Sequence, residues 1–139
     1  MTPEPPRSND SAAERPLMQI GEVAARTELS LRSLRHWEDV GLLRPSGRSE
    51  GGFRLYTETD VEKILVIRRM KPLGFTLEQM GAAMRHIEAL RDPAARPQHD
   101  EARAHLDGIL ADAAERRQKL ENQLAMADEF ISQLAAELS

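Results

Sequence analysis

Between Ser30 and Tyr56 the chain carries its densest set of side chains suited to recognition: SLRSLRHWEDVGLLRPSGRSEGGFRLY. Ser30, Arg32, Ser33 and Arg35 bring hydroxyls and guanidinium forks, His36 and Trp37 bring two rings, and Arg54 with Tyr56 sets a second cation beside a phenol. No nucleophile stands at a recognisable spacing from a general base. No phosphate loop and no pair of carboxylates in an apolar setting accompanies them. The residue types therefore suit binding rather than bond-making, and an enzyme is not expected. Guanidinium groups grip phosphates and base edges through paired N–H donors, and hydroxyls add short contacts.

The elements that must hold these groups follow from the pattern. Ser30 is a good N-cap for a helix from Leu31 to about Val40. In it Leu31, Leu34 and Val40 face inward and Arg32, Ser33, Arg35 and His36 stay outside. Upstream, Ile20, Val23 and Ala24 share one face of a helix that starts near Met18 and stops at Thr27. Two short helices joined by about four residues make a helix-turn-helix. Gly41 ends the second helix as a left-handed cap. Pro45, Ser46, Gly47, Gly51 and Gly52 mark a hairpin, and Phe53-Arg54-Leu55-Tyr56 alternates like a strand. With a period of two, Phe53 and Leu55 share one face and Arg54 and Tyr56 the other. As an exposed pair, Arg54 and Tyr56 would clamp neighbouring phosphates; the other reading makes Tyr56 a core aromatic and leaves Arg54 solvated. A helix able to enter a groove, followed by a basic wing, is an arrangement that reads nucleic acid.

Downstream, Thr57 and Asp60 resemble a capping box that opens a third helix, broken by Pro72 and Gly74. Thr76 caps a fourth helix from Leu77 to about Leu90, with Leu77, Met80, Met84 and Ile87 on its apolar side. Pro93 and Pro97 keep residues 91–99 from being helical throughout. From about Asp100 to Leu138 one helix runs without proline. Leu106, Leu110, Ala113, Leu120, Leu124, Ala127, Ile131, Leu134 and Leu138 alternate spacings of four and three if Arg117 fills the missing slot, the seam of a coiled coil. No other helix in the chain matches its length, so the seam is expected to close against a second copy in a homodimer. Arg117 in the seam needs an acidic partner or a place near the end of the overlap.

Composition sets the outer limits. The 139 residues suffice for one compact domain and an extension. No run is long and apolar enough to span a bilayer, and no signal peptide is read at Met1, so a cytoplasmic protein is expected. There is no cysteine, which excludes disulfides and thiolate chemistry. The net charge of −4 is unevenly spread. Residues 17–75 hold ten Lys/Arg against eight Asp/Glu, and residues 76–139 hold seven against twelve. Only the middle of the chain can present a basic face, and its excess is modest. Residues 1–16, with Arg7 and Arg15, read as a disordered arm.

The run from Ile20 to Met80 resembles the DNA-binding domain of the MerR family of bacterial transcription regulators. The matching pieces are Ile20-Gly21-Glu22, Leu34-Arg35-x-Trp37-Glu38, Gly41-Leu42-Leu43-x-Pro45, Arg54-x-Tyr56, Asp60-Val61 and Leu73-Gly74-Phe75-Thr76-Leu77. The resemblance implies a mainly α fold. A winged helix-turn-helix occupies residues 17–90, a linker 91–99, and a dimerisation helix 100–139 forms an antiparallel coiled coil. Ser30, Arg32 and Arg35 would meet phosphates and base edges in the major groove. Of His36 and Trp37, one would pack on the sugar-phosphate backbone and the other fix the helix. Arg54 and Tyr56 would form the first wing, and Arg69 and Lys71 would grip flanking phosphates from the second. The implied partners are double-stranded promoter DNA, a second copy of the chain and RNA polymerase. The implied act is distortion of a promoter spacer.

No cofactor is expected. With no cysteine, and no further domain after Ser139, the family's metal-sensing and drug-sensing devices are not expected either. His86, His99 and His105 read as solvated histidines before a metal site, and Met80 and Met84 as core before a ligand pocket. The competing readings are a coiled-coil interaction module and an excisionase-like DNA-bending protein. The arginine set argues against the first, and the long helix has no place in the second.

Overall fold

In a computed structural model the described residues are 17–139, so the expectations for the N-terminal arm lie outside them. The chain forms two compact units that divide between Arg69 and Met70.

The first unit opens with β1 (Met18–Gln19), α1 (Ile20–Thr27) and α2 (Leu31–Asp39), followed by β2 (Gly47–Arg48), β3 (Arg54–Tyr56) and α3 (Glu58–Met70), whose last residue crosses the division. Met18 and Gln19 are extended rather than helical. They pair antiparallel with Tyr56 and Leu55, and β2 pairs on the other edge of β3, giving the order β1-β3-β2. A two-residue strand leaves no periodic trace in a sequence, which is why the helix was expected to begin sooner.

Ser30 caps α2 as expected, its Oγ accepting from the Ser33 amide at 3.0 Å. Gly41, at φ 83°, ends it. The Gly41 amide donates to the Glu38 carbonyl at 3.0 Å and the Leu42 amide to the Trp37 carbonyl at 2.9 Å, so two helix-end carbonyls are satisfied and the chain reverses. Leu31 and Val40 are exposed, contrary to the sequence reading. Leu34 and Trp37, three apart, fill the inward face instead. Val23, Thr27, Leu34, Trp37, Leu43, Tyr56, Ile64 and Ile67 are among the buried residues of this unit. Thr27 satisfies its hydroxyl on the Val23 carbonyl at 2.8 Å.

The Thr57–Asp60 capping box is reciprocal. The Thr57 amide donates to Asp60 Oδ2 at 2.9 Å, and the Asp60 amide to Thr57 Oγ1 at 3.2 Å. The same carboxylate oxygen takes the Ser46 hydroxyl at 2.5 Å, which ties the start of the wing to the start of α3.

The second unit runs through a 3-10 turn (Lys71–Leu73), α4 (Leu77–Arg91), a kinked 3-10 stretch (Pro93–Gln98) and α5 (His99–Leu138). Thr76 and Gln79 form a full capping box at 2.9 and 3.1 Å. Phe75, Met80, Ala83, Met84 and Ala102 are buried as α4 packs on the first turns of α5. Met80 and Met84 are thus core residues.

Candidate nucleic-acid interface

The capped helix α2 sets the first part of the site. Arg32, Arg35 and His36 are exposed, and Ser33 is half-buried. The Ser30 hydroxyl, which caps the helix, donates to the Ser33 hydroxyl at 3.1 Å, so both are engaged at the helix end. Trp37 is only 2 % exposed and belongs to the core. It cannot lie on a sugar-phosphate backbone, because its three-residue offset from Leu34 turns it inward. Of the two rings, His36 is the one left to solvent.

The wing differs more from the sequence reading. Tyr56 is fully buried on the central strand, so the expected exposed Arg–Tyr clamp does not exist. Phe53, expected to point inward, lies in the loop before β3 and is 61 % exposed. The strand begins at Arg54, so counting alternation from Phe53 starts outside it. Burial pushes the Tyr56 phenol above its ordinary pKa, with the Glu38 carboxylate adding to the effect. Its hydroxyl is buried without a hydrogen-bond partner.

Arg54 is half-buried and forms an ion pair with Glu38 near the end of α2. Hydrogen bonding to that carboxylate holds the guanidinium above its ordinary pKa. Arg48, directly across the hairpin from Arg54, reaches the other Glu38 oxygen at 3.8 Å and donates to the Gly52 carbonyl at 3.2 Å. One carboxylate thereby joins both wing arginines to α2. Neither Glu38 nor Arg48 was assigned a role from the sequence. The alternation of the strand set Arg54 on an exposed face with Tyr56, whereas it is half-buried, and held no information about the helix behind it.

A second ion pair braces the unit. Arg26 in α1 makes a bidentate contact to Glu58 in α3, at 2.6 and 2.8 Å, and the hydrogen bond to Glu58 raises its pKa. In the turn between α1 and α2, Glu28 takes a left-handed conformation at φ 59° and pairs with Arg68 at 3.1 Å. Arg69 is exposed at the end of α3.

The second unit carries Lys71, exposed in the 3-10 turn. That turn is held from α5 by Arg116, which donates to the Leu73 carbonyl at 3.2 Å and to Asp112 at 2.9 Å. Its guanidinium also lies 4.2 Å over the Phe75 ring. His86 and His105 stack at 4.2 Å between α4 and α5. His105 Nδ1 lies 2.9 Å from the Glu101 carbonyl, while His99 turns to the Asp92 carbonyl at 3.0 Å. The three histidines do not converge. Among the described residues no group of three or more metal-ligating side chains comes together, and no helix is long and apolar enough to cross a membrane.

On α5 the expected seam is bare beyond the turns that α4 covers. Leu106 and Ala113 are half-buried; Leu110, Leu120, Leu124, Ala127, Ile131 and Leu134 are exposed. Arg117 pairs with Glu121 one turn on, at 3.4 Å.

Comparison with known proteins matches residues 18–87 to a family model described as MerR HTH family regulatory protein. An uncharacterized HTH-type transcriptional regulator of Pseudomonas aeruginosa is 44% identical over 64 residues, 46% of this chain and 48% of that one. The HTH-type transcriptional activator TipA of Streptomyces coelicolor is 39% identical over 87 residues, 63% of this chain and 30% of its own length. The chain spans less than half the length of these relatives. The crystal structure of HiNmlR, a MerR family regulator lacking the sensor domain and bound to promoter DNA, shares the fold. Its TM-score is 0.64 at 19% identity, over 84% of this chain and 89% of that chain. The helix-turn-helix, its hairpin wing and the match over residues 18–87 place this chain in the MerR HTH family of regulatory proteins.

Proposed function

We propose that this chain is a sequence-specific DNA-binding transcription regulator. It works as a homodimer that binds a promoter palindrome and distorts the spacer so that RNA polymerase engages both promoter elements. The observation that carries the reading is the outer face of α2. Arg32, Arg35 and His36 stand clear of the core beside a wing pinned by Glu38. Arg32 and Arg35 supply forks for base edges and phosphates, and the Ser30 end of the helix adds amides suited to a phosphate. Arg48 and Arg54 on the wing, Arg69 at the end of α3 and Lys71 in the following turn supply backbone contacts.

The bare seam of α5 supports dimerisation. Two copies bring two recognition helices to one DNA, and DNA whose half-sites do not match them must bend or untwist. Such deformation costs a few kcal/mol, offset by the added contacts. Binding of a duplex carrying the palindrome should weaken steeply with salt. Arg35→Ala should cost about 1–3 kcal/mol on that site and far less on random DNA. Leu120→Asp with Leu124→Asp should yield monomers that lose operator binding. Equal losses on specific and random DNA would remove base reading from Arg35. Straight DNA with normal central stacking in a complex would remove the distortion.

A further inference from the structure

The exposed apolar residues of α5 are not confined to one seam. Phe130 is 61 % exposed, one turn from exposed Met126 along the same edge. Arg116, Gln123 and Phe130 follow one another at intervals of seven, so they occupy one flank of the seam. On that flank, beside the 3-10 turn, lies a groove of about 360 Å³ lined by Leu73, Asp112, Glu115, Arg116, Lys119, Leu120 and Gln123.

The seam itself fixes how a second copy would lie. In a parallel pair Arg117 would face Arg117 of the other copy, two like charges in one layer. In an antiparallel pair whose two-fold axis passes at residue 122, the layers are Leu106 with Leu138, Leu110 with Leu134, Ala113 with Ile131, Arg117 with Ala127, and Leu120 with Leu124. This register uses every seam position and sets the small Ala127 against Arg117, whose head is already turned to Glu121. It also covers Leu110, which is 68 % exposed in the single chain. Sliding by one heptad in either direction leaves seam residues unpartnered and places Arg117 against a leucine.

On the flank, the same register sets Gln123 beside Gln123 of the other copy and Arg116 beside the other copy's Phe130. We infer that Phe130 of a second copy seats in the groove beside Leu73 and Arg116. There it covers the guanidinium from the side opposite Phe75 and locks the 3-10 turn at Lys71–Leu73 to the other chain. The inference rests on the dimer proposed above, in the antiparallel sense that the family resemblance implies, and adds its register and its lock. A planar cation between two rings is favourable on both faces, and the methylene stem of Arg116 adds apolar contact.

The absence of cysteine makes the test clean, because single introduced thiols report alone. With the full chain and a short bis-maleimide, Gln123→Cys should cross-link to itself and Ala113→Cys should not. Self-cross-linking of Ala113→Cys, or none at Gln123→Cys, overturns the register. Phe130→Ala removes an exposed ring and leaves each chain's core intact, so it should fold normally while loosening the dimer on the order of tenfold in sedimentation. Arg116→Lys keeps the charge but loses the planar stack, and should loosen it less. The two changes together should cost less than the product of their separate effects. A dimer constant unchanged by Phe130→Ala, or fully multiplicative effects, overturns the lock while the dimer stands. Small-molecule occupancy of the groove would give that same unchanged constant. A Leu120→Asp, Leu124→Asp variant that stays dimeric instead overturns the dimer reading beneath it.

Discussion

Asp60→Ala tests how the wing is tied to the unit that carries it. Asp60 is buried, and one of its oxygens, Oδ2, accepts both the Thr57 amide at 2.9 Å and the Ser46 hydroxyl at 2.5 Å. Removing the side chain deletes half of a capping box, worth about 1 kcal/mol. It also strips the charge-assisted, part-buried bond from the Ser46 hydroxyl, worth roughly 1.5–3 kcal/mol. The sum is about 3 kcal/mol, which for a chain of this size lowers the melting temperature by roughly 10 °C. Asp60→Asn keeps an acceptor for the amide but loses the charge, and should fall between wild type and alanine. Urea unfolding followed by far-UV circular dichroism reads the loss directly, with the slope against urea checked for constancy. Ser46→Ala should cost about 1–2 kcal/mol alone and little more when added to Asp60→Ala, because the two changes delete the same bond. Additive losses, or an Asp60→Ala cost below about 1 kcal/mol, would refute the reasoning that this oxygen joins wing and helix.

Three further outcomes follow from the same geometry. Tyr56→Phe should leave stability unchanged or slightly higher near neutrality, since the buried hydroxyl has no partner to lose. The raised phenol pKa means that above about pH 10 the unfolded chain sheds a proton that the folded one keeps. Wild-type stability should therefore decline there, and Tyr56→Phe should flatten the decline in an alkaline denaturation series. The His86 imidazole sits below its ordinary pKa of 6.5, chiefly through desolvation, with His105 and Arg85 adding to it against Glu101. Acidification through 6.5 protonates the unfolded chain first, so stability should fall below that pH, and His86→Gln should reduce the slope in the same measurement. Glu28→Gly relieves a left-handed backbone at a non-glycine residue and should raise stability by about 1 kcal/mol in urea unfolding, less whatever the exposed pair with Arg68 contributes.

The long periodic segments were legible in the sequence because a helical stripe repeats often enough to set its own phase. The Ser30, Thr57 and Thr76 caps and the Gly41 turn were legible because each is a local agreement of side chain and backbone. The sheet was not. Its strands are two or three residues long, too short for alternation to fix a phase, and Phe53 set the phase from outside the strand. Trp37 was divided between core and surface because its ring suits either. Only its offset from Leu34, with Leu31 left outside, decides. Contacts that join distant elements, such as Ser46 to Asp60, Arg48 to Glu38 and Arg116 to Phe75, leave no mark along the chain, since the fold and not sequence spacing brings each pair together.

Arg48 and Arg54 draw their counter-charge from one carboxylate, and this makes the helix and hairpin hereditary partners. A substitution at Glu38 releases two wing cations at once, and a substitution at either arginine changes what Glu38 asks of the other. Changes at positions 38, 48 and 54 are therefore expected to be tolerated in sets rather than singly. A variant library that randomised position 38 while holding the wing constant would find mostly failures, and would recover them only when positions 48 and 54 were allowed to vary too.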